Sequence, residues 1–129
     1  MVESINTKVE LVEKATSYLG AGTYGQLMVG DKGFEFFNDK NVRDYIQIPW
    51  EEVDSVIASV IFGGKTIPRF AIKTKANGTY TFSSKDAKAT LRAIRNHMDP
   101  NKMVRSLSFW DVVKRSVSNI FHKKIRTNK

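Results

Sequence analysis

The chain has 129 residues, no cysteine, and 21 lysines and arginines against 13 acids, for a net charge of +8. That length builds one modest core, and the absence of cysteine excludes a disulfide scaffold, a thiolate zinc site and a thiol nucleophile. No stretch approaches the roughly 18 uninterrupted apolar residues of a membrane span, and MVESINTKVELVEK opens with acids where a secretory signal carries a basic patch, so a cytoplasmic protein is expected.

The first two-thirds read as β structure. Lys8 to Leu19, with Val9, Leu11 and Val12 among lysines and glutamates, forms a first strand, and Gly20, Gly22 and Gly25 punctuate the turn after it. QLMVGDKGFEFFND is a hairpin: an apolar run, a turn at 30–33, then Phe34 and Phe36 alternating with Glu35. In YIQIPWEEVDSVIASVIF, Tyr45, Gln47 and Pro49 alternate with Ile46, Ile48 and Trp50. Val53 to Phe62 then reads as a buried strand ended by Gly63-Gly64. RFAIKTK alternates from Arg69 to Lys75, Asn77-Gly78 has the composition of a type I′ turn, and Tyr80 and Phe82 alternate out of it. About six or seven short strands with regular turns predict a small antiparallel barrel or sandwich, its core filled by Phe34, Phe36, Phe62, Phe70 and Phe82.

The period then changes. In SKDAKATLRAIRNHM, Ala87, Leu91, Ile94 and Met98 share a helical face, with Lys85, Lys88, Arg92 and Arg95 on the solvent side. Ser83 or Ser84 is placed to cap this helix, and Asp99-Pro100 ends it. After a link from Asn101 to Leu107, LSFWDVVKRSVSNIFHKKIRTNK predicts a second helix. Ser108 and Asp111 resemble a capping box, and Leu107 and Val112 lie at hydrophobic-staple spacing. The expected division is a β-rich domain with its capping helix over 1–99, and a linker with a basic amphipathic helix over 100–129. The fold class is mainly β, α+β.

Few patterns carry chemistry. GAGTYG at 20–25 matches the dinucleotide fingerprint, but that chemistry needs the glycines to open a helix, and the next residues run into Gly30 with no room for one. Asn77-Gly78-Thr79 is a glycosylation pattern read here as a hairpin turn. His97 and His122 stand alone and read as solvated helix residues, and Glu51, Glu52 and Asp54 read as surface acids beside a core Trp50. Nothing nominates a nucleophile or a tuned acid–base pair, so no catalytic residue, cofactor or metal is assigned. Arg69, Lys73 and Lys75 with Tyr80 make only a thin base-stacking pattern.

Charge gives the stronger signal. Residues 1–64 carry 5 basic residues against 10 acids, and residues 65–129 carry 16 against 3, or −5 and +13. A basic half calls for an anionic partner. In the terminal helix Phe109, Trp110, Val113, Val117, Ile120, Phe121 and Ile125 gather on one side. Arg115, His122 and Arg126 lie opposite, with Lys114 and Lys123 on the flanks and Lys124 intruding on the apolar side. Its first half reads as packed on the body, and its second half as reaching an anionic membrane surface or a protein groove. The contact residues expected are Trp110, Lys114, Arg115, Phe121, Lys123, Lys124 and Arg126, with Arg92 and Arg95 contributing from the first helix.

The segments GQLMVGDKGFEFFND, DYIQIPWEEVDSVIASVIF and MVRSLSFWDVVKRS resemble a bacterial family of unknown function, number 956, whose members include the mannose-operon (ManO-type) proteins encoded beside mannose-class sugar phosphotransferase permeases. The resemblance implies a pleckstrin-homology/GRAM-like fold, a seven-stranded barrel with a capping helix. It also implies a cytoplasmic accessory or regulatory role at the permease membrane subunits, and supplies no catalytic residue. Phosphoinositide-binding members of that fold cluster basic residues around the first hairpin. Here Lys8 to Phe37 holds only Lys8, Lys14 and Lys32 amid Glu10, Glu13, Asp31 and Glu35, which argues against inositol-lipid recognition. The reading from a different class is a nucleic-acid-binding regulator of a sugar-transport operon, using the basic half.

Overall fold

The computed structural model describes residues 3–19, 22–61 and 66–107. Eight strands form one sheet: β1 (Val9–Ser17), β2 (Thr23–Gly30), β3 (Gly33–Asn38), β4 (Tyr45–Pro49), β5 (Val53–Ile61), β6 (Thr66–Thr74), β7 (Thr79–Ser84) and β8 (Met103–Leu107), with one helix, α1 (Ala87–Arg95), between β7 and β8. Their order across the sheet is β4-β3-β2-β1-β7-β6-β5-β8. All ladders are antiparallel except the last, where β8 runs parallel to β5. The mainly β, α+β architecture stands. The stretch 101–107, expected as a link, instead holds part of a 3₁₀ turn (Pro100–Lys102) and the eighth strand. A strand pairing with residues nearly fifty positions away leaves no local periodicity to read.

The sheet doubles back on itself. Strands lie about 4.8 Å apart, so β3 and β7, three steps apart in the order, would be separated by roughly 14 Å in a flat sheet. Yet the rings of Phe34 on β3 and Phe82 on β7 sit 4.9 Å apart, and Phe34 meets Phe70 of β6 edge-on at 6.2 Å. Phe36 and Phe82 close the group at 5.7 Å. All four rings are buried with Leu27, Val29, Ile48, Val53, Val56 and Ile72, and each large side chain so buried contributes roughly 1.5–3 kcal/mol.

Helix α1 lies over this core with Ala87, Thr90 and Ile94 buried, and Met98 buried just beyond its end. Its cap is Asp86, whose Oδ1 accepts from the Ala89 amide at 3.0 Å, rather than either serine. Ser84 remains in β7 and bonds the Thr90 hydroxyl at 3.1 Å. Two glutamates of β1 hold α1 from both ends. Glu13 Oε1 accepts from the Asp86 amide at 2.9 Å and the Thr90 hydroxyl at 3.2 Å, a favourable place for an anion at a helix N-terminus. At the other end Glu10 lies 2.8 Å from His97 Nε2. Glu10 sits where the β1–β2 register slips between Val9 and Leu11, and such an irregularity re-aims a side chain.

The expected two-residue turn at Asn77-Gly78 is a four-residue loop, 75–78, between β6 and β7. The Thr74 hydroxyl accepts from the Asn77 amide at 2.9 Å and donates to the Gly78 carbonyl at 2.6 Å, which closes the longer loop. In this loop Gly78 takes positive φ, 85°.

Glu35 is the largest departure from the alternation expected of the first hairpin. It points away from Phe34 and Phe36, yet is fully buried. Its carboxylate accepts from the Ser4 hydroxyl, from Asn6 Nδ2 at 2.8 Å, from the Ile5 amide at 3.1 Å and from Gln47 Nε2, its cross-strand neighbour, at 2.8 Å. Residues 4–8 therefore strap the outer face of β3. Asn6 Oδ1 takes the Lys32 and Gly33 amides at 2.7 and 2.8 Å, and Asp31 Oδ1 takes the Thr7 and Lys8 amides at 2.9 Å each. A side chain at position 30 would collide with Asn6, which is why glycine stands there.

Two predictions follow from the strap. Glu35→Ala leaves four donors without their acceptor, and we expect a loss of about 2–3 kcal/mol in urea unfolding with faster hydrogen exchange at Ile5; unchanged exchange there would show that the carboxylate does not hold the segment. Asp31 has its pKa lowered below the ordinary 3.8, chiefly by the Lys8 amide, partly offset by desolvation and aided by the Thr7 amide. A carboxyl depressed by folding stabilises above its unfolded pKa and loses that contribution as pH falls through the folded value. The stability gap between wild type and Asp31→Ala is thus full at neutral pH and narrows once pH drops below the ordinary aspartate range, as paired unfolding curves would report.

Candidate functional site

Like charges cluster around an apolar hollow between α1 and the β5–β8 edge. This cleft holds about 390 Å³ and opens to solvent along one side. Val56, Ala58 and Val60 of β5, Ile67 of β6, Leu91 of α1 and Met103 of β8 make its floor, while Lys88, Arg92, Arg95 and Arg105 stand at its edge. The register explains the arrangement. Met103 and Arg105 pair with Val56 and Ala58, and residues paired in a ladder share a face, here the one under α1. On α1, Lys88, Leu91, Arg92 and Arg95 follow three- and four-residue spacing and line one side of the helix.

The four cations are exposed, and among the described residues no acid lines the cleft and none of the four forms an ion pair. Like charges gathered over a low-dielectric wall focus a positive potential into the hollow. The acids lie elsewhere: Glu10 and Glu13 hold α1, Asp54 pairs with Lys73 at 3.7 Å on the exposed face of β5–β6, and Glu51 and Glu52 are exposed in the 3₁₀ turn Trp50–Glu52.

Of the residues expected to make contacts, Arg92 and Arg95 are brought together in this cleft. Trp110, Lys114, Arg115, Phe121, Lys123, Lys124 and Arg126, and the second helix they belong to, lie outside the described residues. From the sequence, Lys88 is expected only on the solvent side of α1, and Arg105 in a link. The i, i+4 and i+7 spacing of Lys88, Arg92 and Arg95 was a usable signal. Arg105 had none, because its position depends on the parallel return of β8.

His97 corrects an expectation. It is not solvated: its side chain is 18% exposed, its ring stacks on Trp50 with centroids 5.2 Å apart and planes within 7°, and Nε2 meets Glu10. Trp50 in turn donates Nε1–H to the Gly30 carbonyl at 3.0 Å. The ring is thus held between Trp50 of the 3₁₀ turn and Glu10 of β1. GAGTYG leads into β2, not a helix, and among the described residues no group of three or more His, Asp or Glu is placed to hold a metal. No described helix is long and apolar enough to cross a membrane.

No curated protein matches the chain. A solved structure, the crystal structure of the C-terminal domain of an unknown protein from Leishmania infantum, is similar with a TM-score of 0.61 at 14% identity, covering 70% of this chain and 83% of that one. At that identity the likeness is one of fold. The model of a family described as Domain of unknown function (DUF956) matches residues 1–117, which take in the core strands, α1 and β8, and the chain belongs to that family.

Proposed function

We propose that this protein is a non-enzymatic accessory module that docks on the cytoplasmic side of a mannose-family sugar phosphotransferase permease, on a scaffold of pleckstrin-homology/GRAM type. The observation that carries the docking reading is the cleft between α1 and β8: an apolar lining with four cations and, among the described residues, no acid beside them. Such a surface is costly to leave unpartnered, and it belongs to the half of the chain that carries +13. The doubled-over sheet with its helix supports the scaffold type, and family membership supports the link to the permease through the resemblance described above. The basic amphipathic segment beyond Leu107, with Trp110, Lys114, Arg115, Phe121, Lys123, Lys124 and Arg126, supplies a second contact at the membrane face.

The nucleic-acid reading draws on the same positive charge. It fits the cleft less well, because phosphate recognition needs cations spread along a groove, whereas these four surround an apolar hollow. The two separate by salt: a phosphate-driven complex loses orders of magnitude in affinity between roughly 50 and 200 mM salt, and a complex anchored by apolar side chains loses far less.

Affinity purification from native membranes tests the proposal, using the full chain and a chain ending at Ser118. The full chain recovers the permease membrane subunits, and the shortened chain recovers them severalfold less. Equal recovery would remove the distal segment from the contact. Failure of the full chain to recover any permease subunit would overturn the permease reading.

A further inference from the structure

We infer that the α1–β8 cleft is a receptor for an acidic amphipathic peptide segment of a partner protein, which seats apolar side chains on Leu91, Ile67 and Met103 and lays carboxylates against Arg92, Arg95 and Arg105. This deepens the docking reading above and rests on it for the existence of a partner.

Three features select this occupant. Charge complementarity is the first: Lys88, Arg92, Arg95 and Arg105 line the hollow, and among the described residues no acid joins them there. The chain's own terminal segment is a poor match, since residues 108–129 carry six lysines and arginines against the single acid Asp111. Shape is the second. Val56, Ala58, Val60, Ile67, Leu91 and Met103 are buried or half-buried while the four cations are exposed, so a flat lipid surface would meet the guanidinium groups first and leave the apolar residues uncovered. A protruding segment reaches both. Size is the third: about 390 Å³ takes a few anchoring side chains at helical spacing and leaves the rest of the segment outside for the cations.

The anchors of the receptor itself are well held. Glu13 and Glu10 pin both ends of α1, and the β5–β8 ladder fixes Met103 and Arg105 over five paired positions from Val56 to Val60. The cleft is thus preorganised, and binding does not have to order its walls.

The test uses the full chain with methyl-labelled side chains, observed by NMR. The probe is a synthetic 18-residue peptide with leucines at helical spacing along one face and glutamates and glutamines along the other. A control peptide replaces every glutamate by lysine. The acidic peptide shifts the methyl signals of Ile67, Leu91, Met103 and Val104, and the lysine peptide does not. R92E/R95E, a change at two exposed positions, weakens acidic-peptide binding at least tenfold while the core methyls of Val29 and Ile72 keep their shifts; R92K/R95K retains most of it. R105E provides a second route on a different element and weakens binding in the same direction.

Absence of cleft shifts, equal binding of the lysine peptide, or an affinity unchanged by both R92E/R95E and R105E would each overturn the inference. Vesicles of phosphatidylglycerol that reproduce the same methyl shifts and displace the peptide would also overturn it, in favour of a lipid ligand. Acidic-peptide binding that persists when no permease subunit is recovered would dismiss the permease and keep the cleft; recovery of the permease by R92E/R95E at wild-type level would do the reverse.

Discussion

The contact of Phe34 with Phe82 and Phe70 is the constraint on which the other features depend. A single eight-stranded sheet has two faces and two edges, and left flat it would bury little. Rings that meet at 4.9 and 6.2 Å across strands three and four steps apart require the sheet to bend until its two halves face each other. Once they do, Leu27, Val29, Ile48, Val56 and Ile72 become interior, and one end is left for α1 to cover. Closely packed aromatic groups of this kind tolerate little change of volume.

From that geometry the position of the cleft follows. Helix α1 packs Thr90 and Ile94 inward and is held at its start by Glu13 and beyond its end by Glu10 through His97. Its unburied side, with Leu91, Arg92 and Arg95, then faces the strip where β8 returns alongside β5. The acidic half of the sequence thus has a structural task. Several of its carboxylates, those of Glu10, Glu13, Asp31 and Glu35, hold backbone amides, hydroxyls and a histidine.

The first hairpin shows how far alternation can mislead. Phe34, Glu35 and Phe36 alternate as a half-buried strand should, and Phe34 and Phe36 do fill the core. Glu35 is nonetheless buried, because residues 4–8 cross the opposite face and supply its hydrogen bonds. A carboxylate at that place is stable only when several donors converge on it. The strap residues Ser4 and Asn6 have ordinary polar identities that announce nothing by themselves. His97 is a similar case: a lone histidine past a helix reads as solvated, until tertiary packing sets Trp50 on one side of it and Glu10 at its nitrogen.

The sequence alone determined the order of strands β1 to β7, the switch to a helix near residue 87, the core aromatics Phe34, Phe36, Phe70 and Phe82 (the expected fifth, Phe62, lies outside the described residues), the basic character of the second half and membership of the family. Each of these is written in local period, turn composition, net charge or motif, which need no knowledge of distant neighbours. Tertiary structure decided that residues 103–107 form an eighth strand, that Asp86 rather than a serine caps α1, that Glu35 is interior, and that Arg105 joins Lys88, Arg92 and Arg95 around one hollow. All four depend on residues far apart in the chain being brought together, and pairing at long range leaves no periodic trace in either partner.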